Sequence, residues 1–378
     1  MKGSKKVRFT TLFMRTNNNN LLKDVGMIPY TMFKSFGYDS TIACYENEKE
    51  WTPLENEVKG LKLNVIKKKH NNMTIDGVRY LLKNSRKIDI LNVYHLVLSR
   101  SFVWALIYKI MNPRGKVYLK MDIDLKGIEF NSKGGTIKRF LQKIGFKLFY
   151  VISAETDASC EYFKNEYGLN RIIKIPNGFY EPNNIRFDEE SFHNENVLFT
   201  AARLGSEQKA TDILMEGFRL SASKHNWNLV LAGTIEEEFK KYIKEFFKEY
   251  PEMKERIIFI GSIENKNELW KIYRESKIFI LPSRWEGFSL AIIEAIANGC
   301  FPLLSDAVIS KNEMTNNGEF GSITKSNDVL ALSDTIVQSI NYIEEMNNKK
   351  VFKDISKYAY ENFEWNEICK RLNDKLSI

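Results

Sequence analysis

Cysteine is scarce. The four present, Cys44, Cys160, Cys300 and Cys369, are scattered and form no CxxC pair. That argues against a disulfide framework or a zinc site and suits a reducing compartment. Long apolar runs are missing as well. The longest near the middle of the chain covers residues 102–111, far short of the roughly 20 that a membrane-spanning helix needs. The opening MKGSKKVRFTTLFMRT is basic but lacks the apolar stretch of about 7–15 residues that marks a secretory leader. A cytoplasmic protein that does not cross a membrane is the expectation. No internal repeat stands out, and the only low-complexity tract is the four asparagines at 17–20. No helix-turn-helix, zinc finger or aromatic RNA motif is present, so no nucleic-acid partner is expected.

What is present fits an ordinary globular chain of two domains. Hydrophobic residues make up 43% of 378 residues and charged residues 28%, which excludes a disordered chain, and single cores stop growing below this length. The net charge of +8 is unevenly spread. Residues 1–180 hold 31 Lys and Arg against 16 Asp and Glu, a balance of +15, whereas residues 181–378 hold 25 against 32, a balance of −7. A basic half joined to an acidic half implies an anionic partner for the first half only, unless the drift is compositional.

Short β-branched and aromatic runs recur at 7–13, 41–45, 61–66, 88–94, 116–121, 150–153 and 172–175, then at 197–201, 228–232, 257–260, 278–281 and 301–305. Most are continuously apolar, as strands buried on both faces are, so each half reads as a parallel sheet between helices. Two such halves give a bilobal α/β chain whose ligands bind beyond the carboxyl ends of the strands. Residues 181–196 are polar, contain Pro182 and lack periodicity, and read as the linker. Domains of 1–182 and 190–355 follow.

The most informative segment is Pro282-Ser-Arg-Trp-Glu286-Gly-Phe-Ser-Leu-Ala-Ile-Ile-Glu294-Ala-Ile-Ala-Asn-Gly299. It reads as a turn after a buried strand, then a helix ended by Gly299. The turn Glu286-Gly287-Phe288-Ser289 opens that helix, and free amides there suit phosphate oxygens. Glu294 is the odd residue of an apolar helix. A sugar diol, donating two hydrogen bonds, is one partner for such a carboxylate; a solvent-facing position is the equal alternative. Strand 197–201 runs into Ala202-Arg203-Leu204-Gly205, with Lys209 beyond. Two cations around such a turn can neutralise a departing diphosphate, although taken alone they read first as surface charges.

The Pro-Ser-x-x-Glu-Gly-Phe-x-Leu frame, with Glu286 and Glu294 eight positions apart, resembles the signature of the retaining glycosyltransferase family called family 4. Arg203 and Lys209, six positions apart and followed by Ala210-Thr211-Asp212 where the family usually has Gly-Thr-Asp, are similar to its second motif. The resemblance covers residues 150–306 well and the remainder loosely. It implies the GT-B fold, two Rossmann-like domains facing a central cleft, with a C-terminal helix near 356–378 returning to the first domain. It implies that Glu294 binds the donor ribose and Glu286 the transferred sugar. The amides of Gly287, Phe288, Ser289 and Leu290 would line the sugar and phosphates, and Gly233 and Ile263 the base and ribose. Gly26 would stand in for the glycine pair that approaches the phosphate.

His95, Asp122 and Asn177 are the acceptor-side candidates, His95 reading equally as a satisfied loop histidine. Asp122-Ile-Asp124 has the spacing that holds a divalent metal in another transferase fold, but arises often by chance; a metal-independent enzyme is expected, Arg203 and Lys209 serving the diphosphate. The implied activity is retaining transfer by front-face departure and attack, from a nucleotide-sugar, with UDP favoured by family frequency, to a glycan or lipid-linked acceptor. Residues 133–149 read as a basic amphipathic helix that either lies on an anionic membrane or packs on its own sheet. Two rival readings remain: a nucleotide-sugar 2-epimerase of the same shape, and a non-catalytic nucleotide-sugar or glycan-binding protein.

Overall fold

The computed structural model describes residues 6–121, 135–181, 195–346 and 350–377. The chain forms two compact units, one of Met1–Tyr180 with Phe363–Ile378, the other of Glu181–Asn362. Most of the polar stretch read as a linker, residues 182–194, lies outside the described residues.

The first unit is built on the strands β1 Arg8–Leu12, β2 Asp39–Cys44, β3 Lys62–Val65, β4 Ile90–Tyr94, β5 Lys116–Met121, β6 Val151–Ala154 and β7 Ile173–Lys174, ordered β3-β2-β1-β4-β5-β6-β7. The second is built on β8 Glu195–Ala201, β9 Asn228–Ala232, β10 Ile257–Gly261, β11 Ser276–Leu281, β12 Phe301–Ser305 and β13 Ser322–Thr324, ordered β10-β9-β8-β11-β12-β13. Every ladder is parallel. The central strands are buried along nearly their whole length, and this is why they read as continuous apolar runs. In each sheet the order reverses beside the first strand, between β1 and β4 and between β8 and β11. Loops leaving the carboxyl ends of those strands diverge there and open a crevice.

The last helix, Trp365–Leu376, belongs to the first unit. Its Trp365, Ile368, Cys369, Leu372 and Leu376 are buried in one cluster with Ile28 and Met32 of the helix Asp24–Phe36. Each such side chain contributes roughly 1.5–3 kcal/mol. Ser35 Oγ donates to Asn366 Oδ1 at 2.6 Å and Tyr38 OH to Asn373 Oδ1 at 2.9 Å. The return begins at Phe363 and not near residue 356. The preceding helix, Lys350–Phe363, is tied to the second unit by Ser356 Oγ donating to the Ala297 carbonyl and Tyr358 OH to the Glu313 carbonyl, both at 2.7 Å. All four cysteines are free and buried. Among the described residues no helix is long and apolar enough to cross a membrane.

Candidate functional site

In the second unit, β8 and β11 are neighbours, so the loops that follow them meet. The loop after β8 carries Arg203 and Lys209; the loop after β11 carries Glu286. Lys209 Nζ forms an ion pair with Glu286 Oε2, and the two side chains are only 17% and 13% exposed. The loops are also joined through their backbones. The Arg284 amide donates to the Gln208 carbonyl at 2.8 Å, and Gln208 Nε2 donates to the Trp285 carbonyl at 3.1 Å. Arg284 completes the clasp: its guanidinium donates to the Glu207 carbonyl at 2.8 Å, to Asp212 Oδ2 at 2.7 Å and to Asn327 Oδ1 at 2.6 Å. It therefore holds both flanks of the Lys209 turn from the segment that bears Glu286. Ala210 closes that turn at φ +50°, fully buried. A non-glycine residue there is strained by about 1–2 kcal/mol.

Behind Glu286 lies the segment 307–310. The Glu286 amide donates to the Ala307 carbonyl at 3.3 Å, the Ile309 amide to the Glu286 carbonyl at 3.0 Å, and Ser310 Oγ to the Gly287 carbonyl at 2.8 Å. The helix Leu290–Ala297 starts immediately after. Its N-cap, Ser289, makes no side-chain cap bond, which leaves the helix start able to receive an anion. Phe288 and Ser289 are buried, and Gly287 and Leu290 are half-buried. On that helix Glu294 is not solvent-facing: its side chain is 14% exposed and its Oε1 meets Lys266 Nζ at 2.9 Å.

Arg203 is not drawn into the Lys209–Glu286 pair. Its side chain is 62% exposed and its Nε meets Glu236 Oε1 at 3.1 Å. Ile263 is half-buried in the loop before Lys266. Gly233 has φ +133°, and a Cβ there would lie 1.8 Å from the Ala202 carbonyl oxygen. The close approach that requires this glycine is thus made by the chain itself.

In the first unit, Gly26 has a similar explanation: a Cβ would lie 2.1 Å from the Leu21 carbonyl oxygen, so Gly26 lets the short helix Asn18–Leu21 pack on its neighbour. His95 ends β4 at φ +64°, half-buried. Asn177 is engaged internally, its Oδ1 accepting from Lys120 Nζ at 3.1 Å. Asp122 and Asp124 lie outside the described residues. Among the described residues, no three His, Cys, Asp or Glu side chains are grouped as metal ligands.

Lys120 had no mark in the sequence beyond its charge. It has no exposed surface, and its Nζ meets Glu155 Oε1 at 2.9 Å and Asp24 Oδ2 at 3.3 Å. One buried cation thus ties together the carboxyl ends of β5 and β6, the segment after β7 and the first turn of the helix Asp24–Phe36.

Comparison with known proteins bears on the unit that holds the Lys209–Glu286 pair. Residues 182–362 match the family model Glycosyl transferases group 1. The match spans almost the whole second unit and ends where that unit ends. The chain is similar to the glycogen synthase of Bacillus anthracis, 26% identical over 57% of this chain and 42% of that protein. It is similar also to the lipopolysaccharide core biosynthesis mannosyltransferase LpsB of Rhizobium meliloti, 30% identical over 34% and 36%. The chain spans less than half the length of these relatives. Among solved structures, Anabaena Alr3699/HepE in complex with UDP matches with a TM-score of 0.71, covering 99% of this chain and all of that one at 16% identity. The lipopolysaccharide outer core galactosyltransferase WaaB matches with a TM-score of 0.70 over 98% and 99%, at 14% identity. These likenesses establish the GT-B fold.

Within the region matched to glycosyl transferases group 1, two residues escaped the sequence reading. Lys266 carries no local signal, because its carboxylate is on a different helix. Arg284 stands inside the recognised frame, and only the folded loops show that it clasps the Lys209 turn.

Proposed function

We propose that the chain is a retaining glycosyltransferase of family 4 that moves a hexose or N-acetylhexosamine from a UDP-sugar to a glycan or lipid-linked acceptor, in the synthesis of cell-surface polysaccharide or glycoconjugate. The observation that carries this reading is the half-buried Lys209–Glu286 pair at the switch point of a unit matched to glycosyl transferases group 1. In this reaction the bond from the anomeric carbon to the diphosphate breaks and a bond to the acceptor oxygen forms on the same face. The acceptor proton passes to a departing diphosphate oxygen, so no protein base is required. Lys209 stabilises the charge that grows on the diphosphate. Arg203 joins it after leaving Glu236. Glu286 orients the sugar, Glu294 accepts from the ribose diol, and the start of the helix Leu290–Ala297 faces the phosphates. Lys266 pairs with Glu294 and holds its carboxylate aligned until the ribose arrives. The binding of UDP by Alr3699/HepE supports uridine as the base.

Thermal-shift titration with UDP, GDP and their common sugars tests this. UDP at 100 times its dissociation constant stabilises the chain by about 2.7 kcal/mol. Glu294→Ala loses two charge-assisted hydrogen bonds and weakens UDP by about tenfold to a hundredfold. Stabilisation by GDP alone would displace uridine, and no response to either would sink the transferase reading. Conversion of donor to its epimer without acceptor would decide for an epimerase.

A peripheral site on an anionic membrane is part of the proposal. The helix Thr136–Gly145 exposes Ile137 (78%), Phe140 (61%), Leu141 and Ile144, with Lys143 and Lys147 exposed beside them. Its apolar stripe is thus not used up on its own sheet, and a basic, apolar helix face suits an interface rich in anionic lipid. Flotation with phosphatidylglycerol vesicles at low salt should recover the protein, and Phe140→Asp with Leu141→Asp should abolish recovery. Equal flotation of wild type and variant would remove this helix from the membrane contact.

A further inference from the structure

The switch point of the first unit holds a recess that the proposed donor chemistry does not use. It lies at the carboxyl ends of β1 and β4 and is lined by Phe13, Arg15, Tyr94, His95, Arg100 and Trp104, among others, none of them acidic. Its volume of about 130 Å³ is below the roughly 300–1,000 Å³ of sites that enclose a drug-sized ligand. A single charged group fits it; a nucleotide does not.

Two arginines meet at this recess without a carboxylate. Among the described residues, neither Arg15 nor Arg100 forms an ion pair. The Arg100 guanidinium lies 5.9 Å from the Trp104 ring centroid. Stacking of that kind occupies its face and leaves the edge donors available. Burial first, and the charge of Arg15 second, pull the pKa of Arg100 below its ordinary value. Two positive charges, one exposed and one half-buried, thus line one small recess with no carboxylate among its lining residues.

The backbone around the recess is also specialised. Arg100 stands in a π-helical turn, Leu98–Phe102, a form that recurs at functional sites. His95 holds a left-handed conformation at φ +64°. Ser101 Oγ pins both, its one hydrogen shared between the Tyr94 carbonyl at 2.9 Å and the His95 carbonyl at 2.8 Å.

We propose that Arg15 and Arg100, with His95 at the rim, bind an oxyanion carried by the acceptor, a phosphate or a carboxylate, so that the acceptor is an anionic molecule. The proposal rests on the transferase reading for the word acceptor, while the anion site itself does not. A guanidinium fork matches both groups bidentately.

The test uses the full chain saturated with UDP, so that the phosphate site of the second unit is occupied. Binding of glycerol 3-phosphate and of glucuronate is then followed by calorimetry, alongside flotation with phosphatidylglycerol vesicles. One soluble anion should bind, and Arg100→Gln or Arg15→Gln should weaken it by about tenfold or more while the affinity for UDP stays the same. The preferred soluble anion tells phosphate from carboxylate. Arginine-dependent flotation together with glycerol 3-phosphate binding places the phosphate on a lipid. UDP binding with no anion binding, or with anion binding indifferent to both substitutions, overturns the site and leaves the transferase reading intact. Failure to bind UDP with arginine-dependent anion binding retained does the reverse.

Discussion

Lys209→Ala lowers turnover by about a hundredfold to a thousandfold, the loss typical when one preorganised donor to a developing oxyanion is removed. In the proposed transfer the diphosphate gains charge as the bond to the sugar lengthens, so a cation beside it would be worth more in the transition state than with bound donor. Lys209 is well placed for this because it is held on both sides. The Arg284 clasp fixes its turn, and Glu286 fixes its ammonium. The affinity for the intact UDP-sugar should therefore change much less than kcat. Removing the lysine also strands Glu286, whose side chain is 13% exposed, and an unpaired buried carboxylate is a separate defect. Comparison with Glu286→Gln and with the double variant separates the two effects, since residues acting as a unit lose activity non-additively. Single-turnover rates with a radiolabelled donor supply the readout. A Lys209→Ala enzyme with undiminished turnover would remove Lys209 from the mechanism.

Lys120→Met is the substitution expected to cost most stability, about 3–5 kcal/mol, the usual consequence of deleting one partner of a buried ion pair. Methionine fills much of the space, so the loss is electrostatic. Glu155 and Asp24 are left without the cation that both now share, and Asn177 loses its donor. For a unit of this size the melting temperature falls by about 10 °C. Neutralising the acids in the same background, with Glu155→Gln and Asp24→Asn, should recover most of the loss, because an uncharged cluster has no stranded charge. Calorimetry of the three proteins decides the matter. A melting temperature within about 2 °C of wild type for Lys120→Met would show that the lysine is not a structural tie.

Several strands were legible residue by residue. The runs 116–121, 228–232 and 301–305 coincide with β5, β9 and β12, because central strands of a parallel sheet are apolar on both faces and stop at polar or turn-forming residues. The strand β13 was not foreseen. It has three residues, pairs on one side only and leaves Ile323 half-exposed, so it offers neither length nor periodicity. The helix Thr136–Gly145 shows the same limit in another form. Its apolar period was visible, but which way the stripe points depends on what lies beneath it.

The sequence alone determined that the chain has two parallel α/β halves, because strand periodicity is set by neighbours along the chain, and its resemblance to a family motif marked Glu286, Glu294 and Lys209. Tertiary structure decided which charges meet. Lys209 and Glu286 are 77 residues apart and touch because β8 lies beside β11. Lys120, a lysine in a strand, became a buried tie because three other segments end around it. Arg203, marked equally with Lys209, went instead to Glu236. Pairings of this kind follow from strand order and burial, and neither is a property of any one stretch of chain.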